Sequence, residues 1–442
     1  MMNAFVQKFT EAAHGQGISN LEFYFETEKK VSVNAHEGRA FESQQSNVTS
    51  CHVQGEYQGK AGAISVEDFS EELFEEEIQF LKMAAEMKNI PFKALNLAST
   101  ECKKEWKLNT LDKMTEHVLR TEKQVLKEYP ELKKISSCHL GETVREIRIL
   151  NDRGVCMEDS IKFAHVWVNA TAEKDSVVQI SGNDATACMM EDLRLQALFE
   201  EAAKDACGML DARPAASGKY PVVLKNSVIC EMLSMYISAF GADSVNKKIS
   251  KLAEKKGESI ASEIVSLVED PMLPGGVNNR SFDDEGTPTS KKALIENGVL
   301  KLFLYNKEEA EKTNGQTTGN GFKNSYKGKP EIGVTNVRLE GQKKSREDLI
   351  REMQDGLYIT HCDGMFAGAD VVSGDFTLIS KGYFVENGQM TGGVNQITVA
   401  GNFYDMLKEI GAIGNDYLTS LTGTGAFVAP SVFIKQLVVS GS

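Results

Sequence analysis

The sequence predicts an α+β fold, with an N-terminal α/β half followed by a C-terminal domain built on a large, mainly antiparallel β-sheet with helices. Three observations support this prediction. Runs rich in β-branched and aromatic residues occur at 20–66 and 135–182, and segments with helical periodicity lie beside them. Beyond residue 260 the chain becomes rich in glycine and strand-like segments, and Glu-Asn-Gly occurs there twice between apolar runs.

The domain boundary is predicted at the segment "RPAASGKYPVVL", residues 213–224. Two prolines, two alanines, a serine and a glycine make this segment typical of a linker. We therefore divide the chain into residues 1–215 and 216–442. The first region is long enough to contain two subdomains, 1–100 and 101–215, at roughly 150 residues or fewer per domain.

Three helices are predicted in the N-terminal region. The first follows residue 70, because Phe74, Ile78, Leu81 and Ala85 recur at helical spacing. The second covers 109–129, with Asn109 or Thr110 as its N-cap, and the third covers about 190–209. Residues 151–154, Asn-Asp-Arg-Gly, form a predicted hairpin turn between two strands.

Two helices and two hairpins are predicted in the C-terminal region. Apolar stripes at 229–240 and 245–253 indicate the helices, and Gly241 and Gly257 are suited to end them. The hairpins have their turns at 296–298 and 386–388, because Asn-Gly accepts positive φ at both central positions.

The net charge and the absence of visible targeting signals narrow the classes of function that this protein could have. The formal charge is −14, from 49 basic and 63 acidic residues. This balance argues against direct nucleic-acid binding, which needs a basic face to replace phosphate counterions. The first residues have no basic segment followed by an apolar run, and no stretch approaches a membrane span. We therefore expect a cytoplasmic protein with no membrane partner.

Several catalytic motifs are absent. The sequence contains neither the phosphate-binding G-x-x-x-x-G-K-[ST] nor the hydrolase pattern G-x-S-x-G. A zinc pair on one helix needs two histidines within one or two turns. None of the seven histidines has such a neighbour; they are residues 14, 36, 52, 117, 139, 165 and 361.

The segment "SFDDEGTP", residues 281–288, places three consecutive carboxylates, Asp283, Asp284 and Glu285, before a Gly-x-Pro turn. Such a group could be a metal site, an acid/base pair or a solvated loop. The spacing lacks the alternating acids and central glycine of an EF-hand loop. The residues alone therefore favour a polar turn at a strand end over a metal site.

The same segment begins a family resemblance. "FDDEGTP", "LIENGVLKLFLYN" and "TTGNGFKNSY" follow one another in an order that resembles the TldD/PmbA family. The resemblance continues through residues 373–416 and includes "KYPVVL" at 219–224. It extends more weakly to "EGRAFESQQS" and "GKAGAISVEDF" near the N-terminus, so it covers nearly the whole chain.

The resemblance implies two kinds of subunit. The TldD type carries His-Glu-x-x-x-His on a helix early in its C-terminal domain, together with a late cysteine, and binds zinc for peptide hydrolysis. The PmbA type, also called TldE, has the same fold without those histidines and pairs with the first. Here the corresponding helix is "VICEMLSMYISAFG", which contains no histidine, and no cysteine follows Cys362. The chain therefore resembles the PmbA type.

The resemblance leads to a specific hypothesis about function. The chain would be a PmbA/TldE-like, non-metallated subunit of a zinc metallopeptidase complex, inactive alone, that admits extended or unfolded peptides. Zinc is expected in a TldD-like partner, and no cofactor is expected in this chain. The residues expected to line the peptide groove or order its loops are Phe282, Asp283, Asp284, Glu285, Gly286, Gly319, Asn320, Gly374, Asp375 and Phe376.

Two alternatives stay open at this stage. The first is a homodimeric, non-catalytic binding or regulatory protein of the gyrase-modulator type that the family's description suggests. The second is an autonomous peptidase with unusual zinc ligands, for which Cys230, Glu231 and His361 are the candidates, because thiolate and imidazole are both suitable for zinc.

Overall fold

The computed structural model describes residues 2–95, 97–102 and 105–441. Within these ranges, no helix has both the length and the apolar character needed to cross a membrane. The chain forms ten α-helices in the described ranges, several of them short. They are α1 (Met2–Gly15), α2 (Phe74–Lys88), α3 (Leu111–Glu128), α4 (Leu195–Gly208), α5 (Asn226–Tyr236), α6 (Ala242–Asn246), α7 (Lys307–Lys312), α8 (Arg346–Met353), α9 (Met365–Gly368) and α10 (Phe403–Lys408).

The N-terminal half is built on one seven-stranded sheet with the order β3-β2-β1-β5-β6-β4, in which β7 also pairs with β6. Its strands are β1 (Ile18–His36), β2 (Arg39–Tyr57), β3 (Lys60–Val66), β4 (Thr100–Cys102), β5 (Leu132–Asn151), β6 (Cys156–Lys174) and β7 (Val177–Ala187). Because β1 pairs with β5, the sheet contains strands from both sides of residue 100. The predicted division into 1–100 and 101–215 therefore does not coincide with a break in the sheet.

The four long helices cover one face of this sheet. Phe5 and Phe9 of α1 pack with Phe23 of β1 in one buried cluster. A second cluster joins Val31 and other strand residues to α3 and α4. The predicted stripe of α2 is confirmed, since the four residues that form it, Phe74, Ile78, Leu81 and Ala85, are all buried. Alternate residues of a strand point to opposite faces, so the other face of the sheet is left for the C-terminal half.

The C-terminal half contains two six-stranded sheets rather than a single large one. The first has the order β11-β10-β9-β14-β20-β19 and the second has the order β17-β16-β15-β8-β21-β18. Their strands are β8 (Gly218–Leu224), β9 (Leu267–Glu269), β10 (Lys292–Glu296), β11 (Val299–Leu300), β14 (Asn336–Leu339), β15 (Gly356–Asp363), β16 (Asp375–Glu386), β17 (Gln389–Asn402), β18 (Ile410–Ile413), β19 (Leu418–Thr422), β20 (Gly425–Ala429) and β21 (Val432–Ser440). A separate pair consists of β12 (Gly321–Phe322) and β13 (Glu331–Ile332).

The pairing in these sheets is mainly antiparallel, as predicted, although β14–β20 and β8–β15 are parallel. Helix α5 packs against strands of both six-stranded sheets, and one buried core includes residues of both. The α+β fold class is confirmed.

Local turn chemistry explains both predicted Asn-Gly hairpins, which are confirmed. Asn297 and Gly298 have φ values of 49° and 79°, and they join β10 to β11. Asn387 and Gly388 have φ values of 51° and 72°, and they join β16 to β17. Positive φ at both central positions gives the turn twist that matches a right-handed strand pair.

Two helix predictions need correction. The predicted helix at 190–209 begins as a 3₁₀ turn, and the α-helix starts only at Leu195. The predicted helix at 245–253 is wrong, since α6 ends at Asn246. Lys248 has a φ of 57°, in the left-handed region, and this residue prevents the helix from continuing. Ile249 consequently lies outside the core, with 43% of its surface exposed.

Candidate functional site between the two halves

The loop 281–288 lies between the two halves of the molecule and is not a surface turn. Asp283, Asp284 and Glu285 are buried, with 0%, 3% and 8% of their surfaces exposed. Of the alternatives that the sequence left open, the solvated loop is therefore excluded. Buried carboxylates need hydrogen bonds or counter-charges, and each of the three finds them in a different way.

Asp283 binds backbone amides on both sides of the turn. Its Oδ1 accepts hydrogen bonds from the N–H groups of Glu285 (3.0 Å) and Thr287 (2.8 Å). Its Oδ2 accepts one from the N–H of Gly321 (2.9 Å) in β12. Burial raises the pKa of Asp283 to about 6, and the hydrogen bonds from Gly321 and Thr287 limit this increase. The side chain thus fixes the turn and ties it to a neighbouring strand.

Asp284 forms a buried ion pair with Arg280, whose Nη2 lies 2.7 Å from Oδ1. Its Oδ2 accepts a hydrogen bond from the N–H of Lys323 at 2.8 Å. Burial opposes ionisation, but the charges of Arg280 and Arg145 hold the pKa of Asp284 below its ordinary value. Because Arg145 belongs to β5, the charge of Asp284 also interacts with the N-terminal half.

Glu285 accepts a hydrogen bond from the backbone N–H of Lys307 at 2.8 Å, at the start of α7. Burial raises the pKa of Glu285 to about 7. Its carboxylate lies so close to the backbone of Gly321 that a Cβ there would be 2.3 Å from Oε2. Gly286, with a φ of 74°, supplies the left-handed conformation of the turn.

Phe282 and its neighbour Ser281 attach the loop to the N-terminal sheet. The N–H and Oγ of Ser281 donate hydrogen bonds of 2.6 and 2.8 Å to Asp159 Oδ2 of β6. Phe282 is buried in a cluster with residues of the N-terminal sheet, which are Tyr24, Ile147, Ile149 and Met157. The loop is therefore part of the interface between the two halves.

Gly319 and Asn320 lie beside this loop. Asn320 Nδ2 donates to both carboxylate oxygens of the fully buried Glu269 at 3.0 Å. Lys292 Nζ also lies 3.0 Å from Glu269 Oε2 and balances its charge. Gly319 has a φ of 73°, and a Cβ there would lie 2.7 Å from the carbonyl oxygen of Pro288. The structure thus brings 282–286, 319 and 320 into one buried network.

The other three predicted residues belong to a different region, at the start of β16. The hydroxyl of Tyr236 donates to the carbonyl oxygens of Gly374 (3.3 Å) and Asp375 (3.2 Å). The Asp375 side chain is exposed and accepts a hydrogen bond from Asn402 Nδ2 at 2.8 Å. Phe376 is a buried core residue. These contacts involve α5, β17 and the C-terminal core, and they share no residue with the contacts of the loop described above.

A polar cavity of about 530 Å³ lies between the N-terminal sheet and α5, β15 and β16. Glu231 of α5 lines it, together with Asp184 of β7 and Asp363 of β15. Glu231 is exposed toward the cavity, yet desolvation by the surrounding walls raises its pKa to about 7, with further contributions from the negative charges of Asp184 and Asp363. Trp167 of β6 forms part of the opposite wall.

A second cavity, of about 440 Å³, opens on the same face of the N-terminal sheet. His139 and His165 line it, and the His139 ring stacks on Trp167 with 6.1 Å between the ring centroids. Burial lowers the pKa of both histidines. The two cavities thus meet at an aromatic pair whose imidazole is neutral at ordinary pH.

Cys230, Glu231 and His361 do not form a metal site. The thiol of Cys230 points to the carbonyl oxygens of Leu418 (3.6 Å) and Phe427 (3.5 Å), and burial raises its pKa to about 12. His361 Nε2 lies 2.6 Å from the carbonyl oxygen of Gly182. In the described parts of the chain, no group of three His, Cys, Asp or Glu side chains is arranged to hold a metal ion. These three residues therefore do not fit the zinc site that the sequence left open.

Sequence reasoning missed Asp184, Trp167 and Glu269. Each lies in a strand whose pattern indicates only alternating burial. Trp167 carried one usable signal: it is one of only two tryptophans, and it lies on the polar face of its strand. The partners of Glu269 lie 23 to 66 residues away in the chain, so no local pattern could reveal them.

Comparisons with known families agree with this architecture. Residues 217–441 match the PmbA/TldA metallopeptidase C-terminal domain, and residues 103–210 match the central domain of the same family. The chain belongs to the PmbA/TldA metallopeptidase family. Its resemblance to this family, inferred from the motifs above, is confirmed.

Individual relatives extend the comparison. The chain is 30% identical over 241 residues to the metalloprotease PmbA of Escherichia coli O157:H7, covering 54% of this chain and 50% of that protein. It is 29% identical over 228 residues to a metalloprotease TldD homolog of Buchnera aphidicola, covering 51% and 47%. The matched region therefore spans about half the length of these curated relatives.

Two crystal structures are similar over the full length of both chains. One, from Thermotoga maritima, is named a "putative modulator of a DNA gyrase", with 27% identity and a TM-score of 0.88. The other is TldE from Thermococcus kodakarensis, with 21% identity and a TM-score of 0.85. At this identity, the second similarity concerns the fold alone.

Proposed function

We propose that the chain is a PmbA/TldE-like subunit of a TldD-type zinc peptidase complex that acts on extended or unfolded peptides. In this proposal the chain itself binds no zinc and is inactive alone, and the metal lies in a TldD-like partner. The proposal rests on the family, on the chemistry of α5 and on the surface that α5 faces.

The observation that carries the proposal is the combination of residues on α5. The helix contains no histidine, yet it forms a wall of the 530 Å³ polar cavity through Glu231. The preceding residue, Cys230, is turned toward backbone carbonyls. A helix that faces a cleft and offers one carboxylate but no imidazole can bind and orient a polar chain, and it lacks the pair of histidines that a helix-borne zinc site uses.

The surface opposite α5 is suited to an extended peptide. The cavities of 530 and 440 Å³ lie on one face of the N-terminal sheet, on either side of the pair Trp167 and His139. An aromatic surface flanked by carboxylates, amides and neutral imidazoles offers both stacking and hydrogen bonds to a peptide backbone.

The alternative of a homodimeric, non-catalytic regulatory protein is not favoured. The curated relatives are named metalloproteases, including both PmbA and TldD types. The term gyrase modulator appears in the name of a structural relative and adds no site to this chain.

The test is co-expression with a TldD-type chain that carries His-Glu-x-x-x-His, followed by hydrolysis of an unstructured fluorogenic peptide. We expect activity from the complex and none from either chain alone. Equal activity of the partner by itself would exclude this role.

A pair of variants distinguishes an effect on peptide binding in the groove from an effect on assembly of the complex. Trp167→Ala should raise the KM of the complex several-fold, while Phe80→Ala, which removes an exposed aromatic ring from α2 on the helical side of the sheet, should leave it unchanged. Both complexes should have the same mass by light scattering. If the two variants have the same KM as the wild type, the peptide does not bind along this face.

A further inference from the structure

We propose that a third cavity, between the first strands of the N-terminal sheet and residues 323–330, binds a small carboxylate attached to an apolar body. The cavity has a volume of about 310 Å³ and is separate from the two cavities beside Trp167. It therefore goes beyond the proposed peptidase role and does not depend on it. A volume near 300 Å³ is at the small end of ligand pockets.

Tyr24 gives the first indication of a ligand. Its residue surface is only 5% exposed, it lines the cavity, and its hydroxyl has no hydrogen-bond partner among the described residues. A buried hydroxyl without a partner costs free energy comparable to a lost hydrogen bond. A ligand atom that accepts from Tyr24 would remove this cost.

Lys323 supplies a positive charge over the ring of Tyr24. Its Nζ lies 4.3 Å from the centroid of the Tyr24 ring, and within the described ranges it forms no ion pair with a side chain. Burial lowers the pKa of Lys323, while the nearby charge of Asp284 limits the decrease. An ammonium in this position is stabilised when an anion binds next to it.

His52 is the third polar group without a partner. It is the cross-strand neighbour of Tyr24 in the β1–β2 pair, and its Nδ1 is buried without a hydrogen bond in the part of the chain that the structure describes. Burial lowers the pKa of His52 to about 3, so the ring is neutral. A neutral imidazole with its proton on Nδ1 donates to a carboxylate without adding a second buried charge.

The acidic residues of the same cavity already have hydrogen-bond donors of their own. Asp284 has Arg280 and the Lys323 amide, Glu285 has the amide of Lys307, and Glu22 has the amide of Leu95 at 2.5 Å. Burial also raises the pKa of Glu22 and Glu285 to about 7. The cavity groups that lack a hydrogen-bond partner can thus act as donors, whereas the acceptor groups of the cavity already have donors.

The mouth and walls of the cavity define the rest of the ligand. Lys88, Lys327 and Lys329 surround the opening, in a chain whose formal charge is −14. Lys327 and Lys329 pair with Glu67 and Glu308, but these are exposed pairs of small energy. Apolar walls are provided by Ala63, Leu95 and Ile149. Together these features select an anionic head group on a short apolar chain.

Isothermal titration of the full chain with sodium hexanoate tests this inference. We expect binding by the wild type, about tenfold weaker binding by Lys323→Met, and several-fold weaker binding by Tyr24→Phe. Lys301→Met, which removes an exposed lysine that pairs with Glu296 and does not line this cavity, is the matched control and should bind as the wild type does. Lys88→Met, at the exposed mouth, should weaken binding without any effect on folding.

The source of the carboxylate is distinguished by a second titration. A pentapeptide ending in leucine is compared as its free acid and as its amide. Binding of hexanoate and of the free acid, but not of the amide, would identify a peptide C-terminus, and binding of hexanoate alone would identify a free small acid. Absence of heat with hexanoate, equal affinity of Lys323→Met and wild type, or tighter binding of inorganic phosphate than of hexanoate would each overturn the inference.

Discussion

Arg280 and Asp284 form an ion pair of 2.7 Å in which the two side chains are only 3% and 1% exposed. The guanidinium also lies over the rings of Phe282 and Phe322, at 5.7 and 5.4 Å from their centroids. Because the loop that carries this pair is packed against the N-terminal sheet, its energetics influence how the two halves are held together. A buried pair gives little net stability, but the loss of one partner is costly.

Asp284→Asn should therefore lower the free energy of unfolding by about 3–5 kcal/mol, because Arg280 would remain buried without a counter-charge. Urea denaturation measures the change. Asp405→Asn is the control, since Asp405 forms an exposed pair with Lys408 at 3.5 Å. It should cost less than about 1 kcal/mol. Similar losses for the two variants would contradict the importance of the buried pair.

Gly319→Ala and Gly38→Ala separate a steric clash from backbone strain. The two glycines have nearly equal φ values, 73° and 74°. Only position 319 is crowded, with the Pro288 carbonyl oxygen 2.7 Å from the new Cβ, whereas nothing lies within 4 Å at position 38. Gly319→Ala should lose about 1–3 kcal/mol more than Gly38→Ala. An equal loss of unfolding free energy in both variants would mean that the positive φ alone causes the destabilisation. Thermal denaturation distinguishes the two results.

Local rules were sufficient for much of the fold. The Asn-Gly turns and the stripe of α2 depend on residues close together in the chain, and both predictions were correct. The helix predicted at 245–253 failed because its apolar spacing is compatible with turns as well, and Lys248 ends the helix through its backbone conformation. The division of the C-terminal strands into two sheets depends on long-range pairing, which spacing does not encode.

The candidate site was harder to predict. The acids of 283–285 look like a solvated turn because most of their partners are distant in the chain. Arg280 is only four residues from Asp284, but Arg145 lies in β5, and the amides of Gly321 and Lys323 lie 38 and 39 residues beyond the acids that they bind. Family resemblance led to the prediction that this segment lines a peptide groove or orders its loops, whereas its burial is visible only in the structure. The cavity beside Glu231 combines residues of β6, β7, α5 and β15, and no motif in the sequence joins them.

Glu22 should make stability depend on pH. Burial raises its pKa in the folded chain to about 7, above the ordinary value of 4.5. Between these values the folded state binds a proton that the unfolded state releases, so this group destabilises the fold as pH rises through that window. The difference in unfolding free energy between Glu22→Gln and wild type should increase by up to roughly 3 kcal/mol from about pH 4.5 to about pH 8. Urea denaturation at several pH values measures it.

The comparison at low pH is the control for this experiment. Near pH 4.5 the folded wild type carries a neutral Glu22, and its Oε1 accepts the Leu95 amide in the same way as the side-chain amide oxygen of the Glu22→Gln variant would. The two proteins should therefore be most similar in stability there, diverge progressively between about pH 4.5 and about pH 7, and keep a constant difference above that. A difference that is constant across the whole range would show that the proton of Glu22 is not linked to folding.

Metal analysis of the chain purified alone, without chelator or affinity tag, tests the division of roles between subunits. We expect no stoichiometric zinc, because α5 has no histidine and the Cys230 thiol, with a pKa raised to about 12, faces backbone carbonyls. Glu231→Gln and Cys230→Ser should therefore leave the metal content unchanged. About one zinc per chain, lost in either variant, would contradict the proposed role, because α5 would then supply metal ligands itself. The same variants co-expressed with a TldD-type chain provide the complementary measurement, since zinc should then remain with the partner.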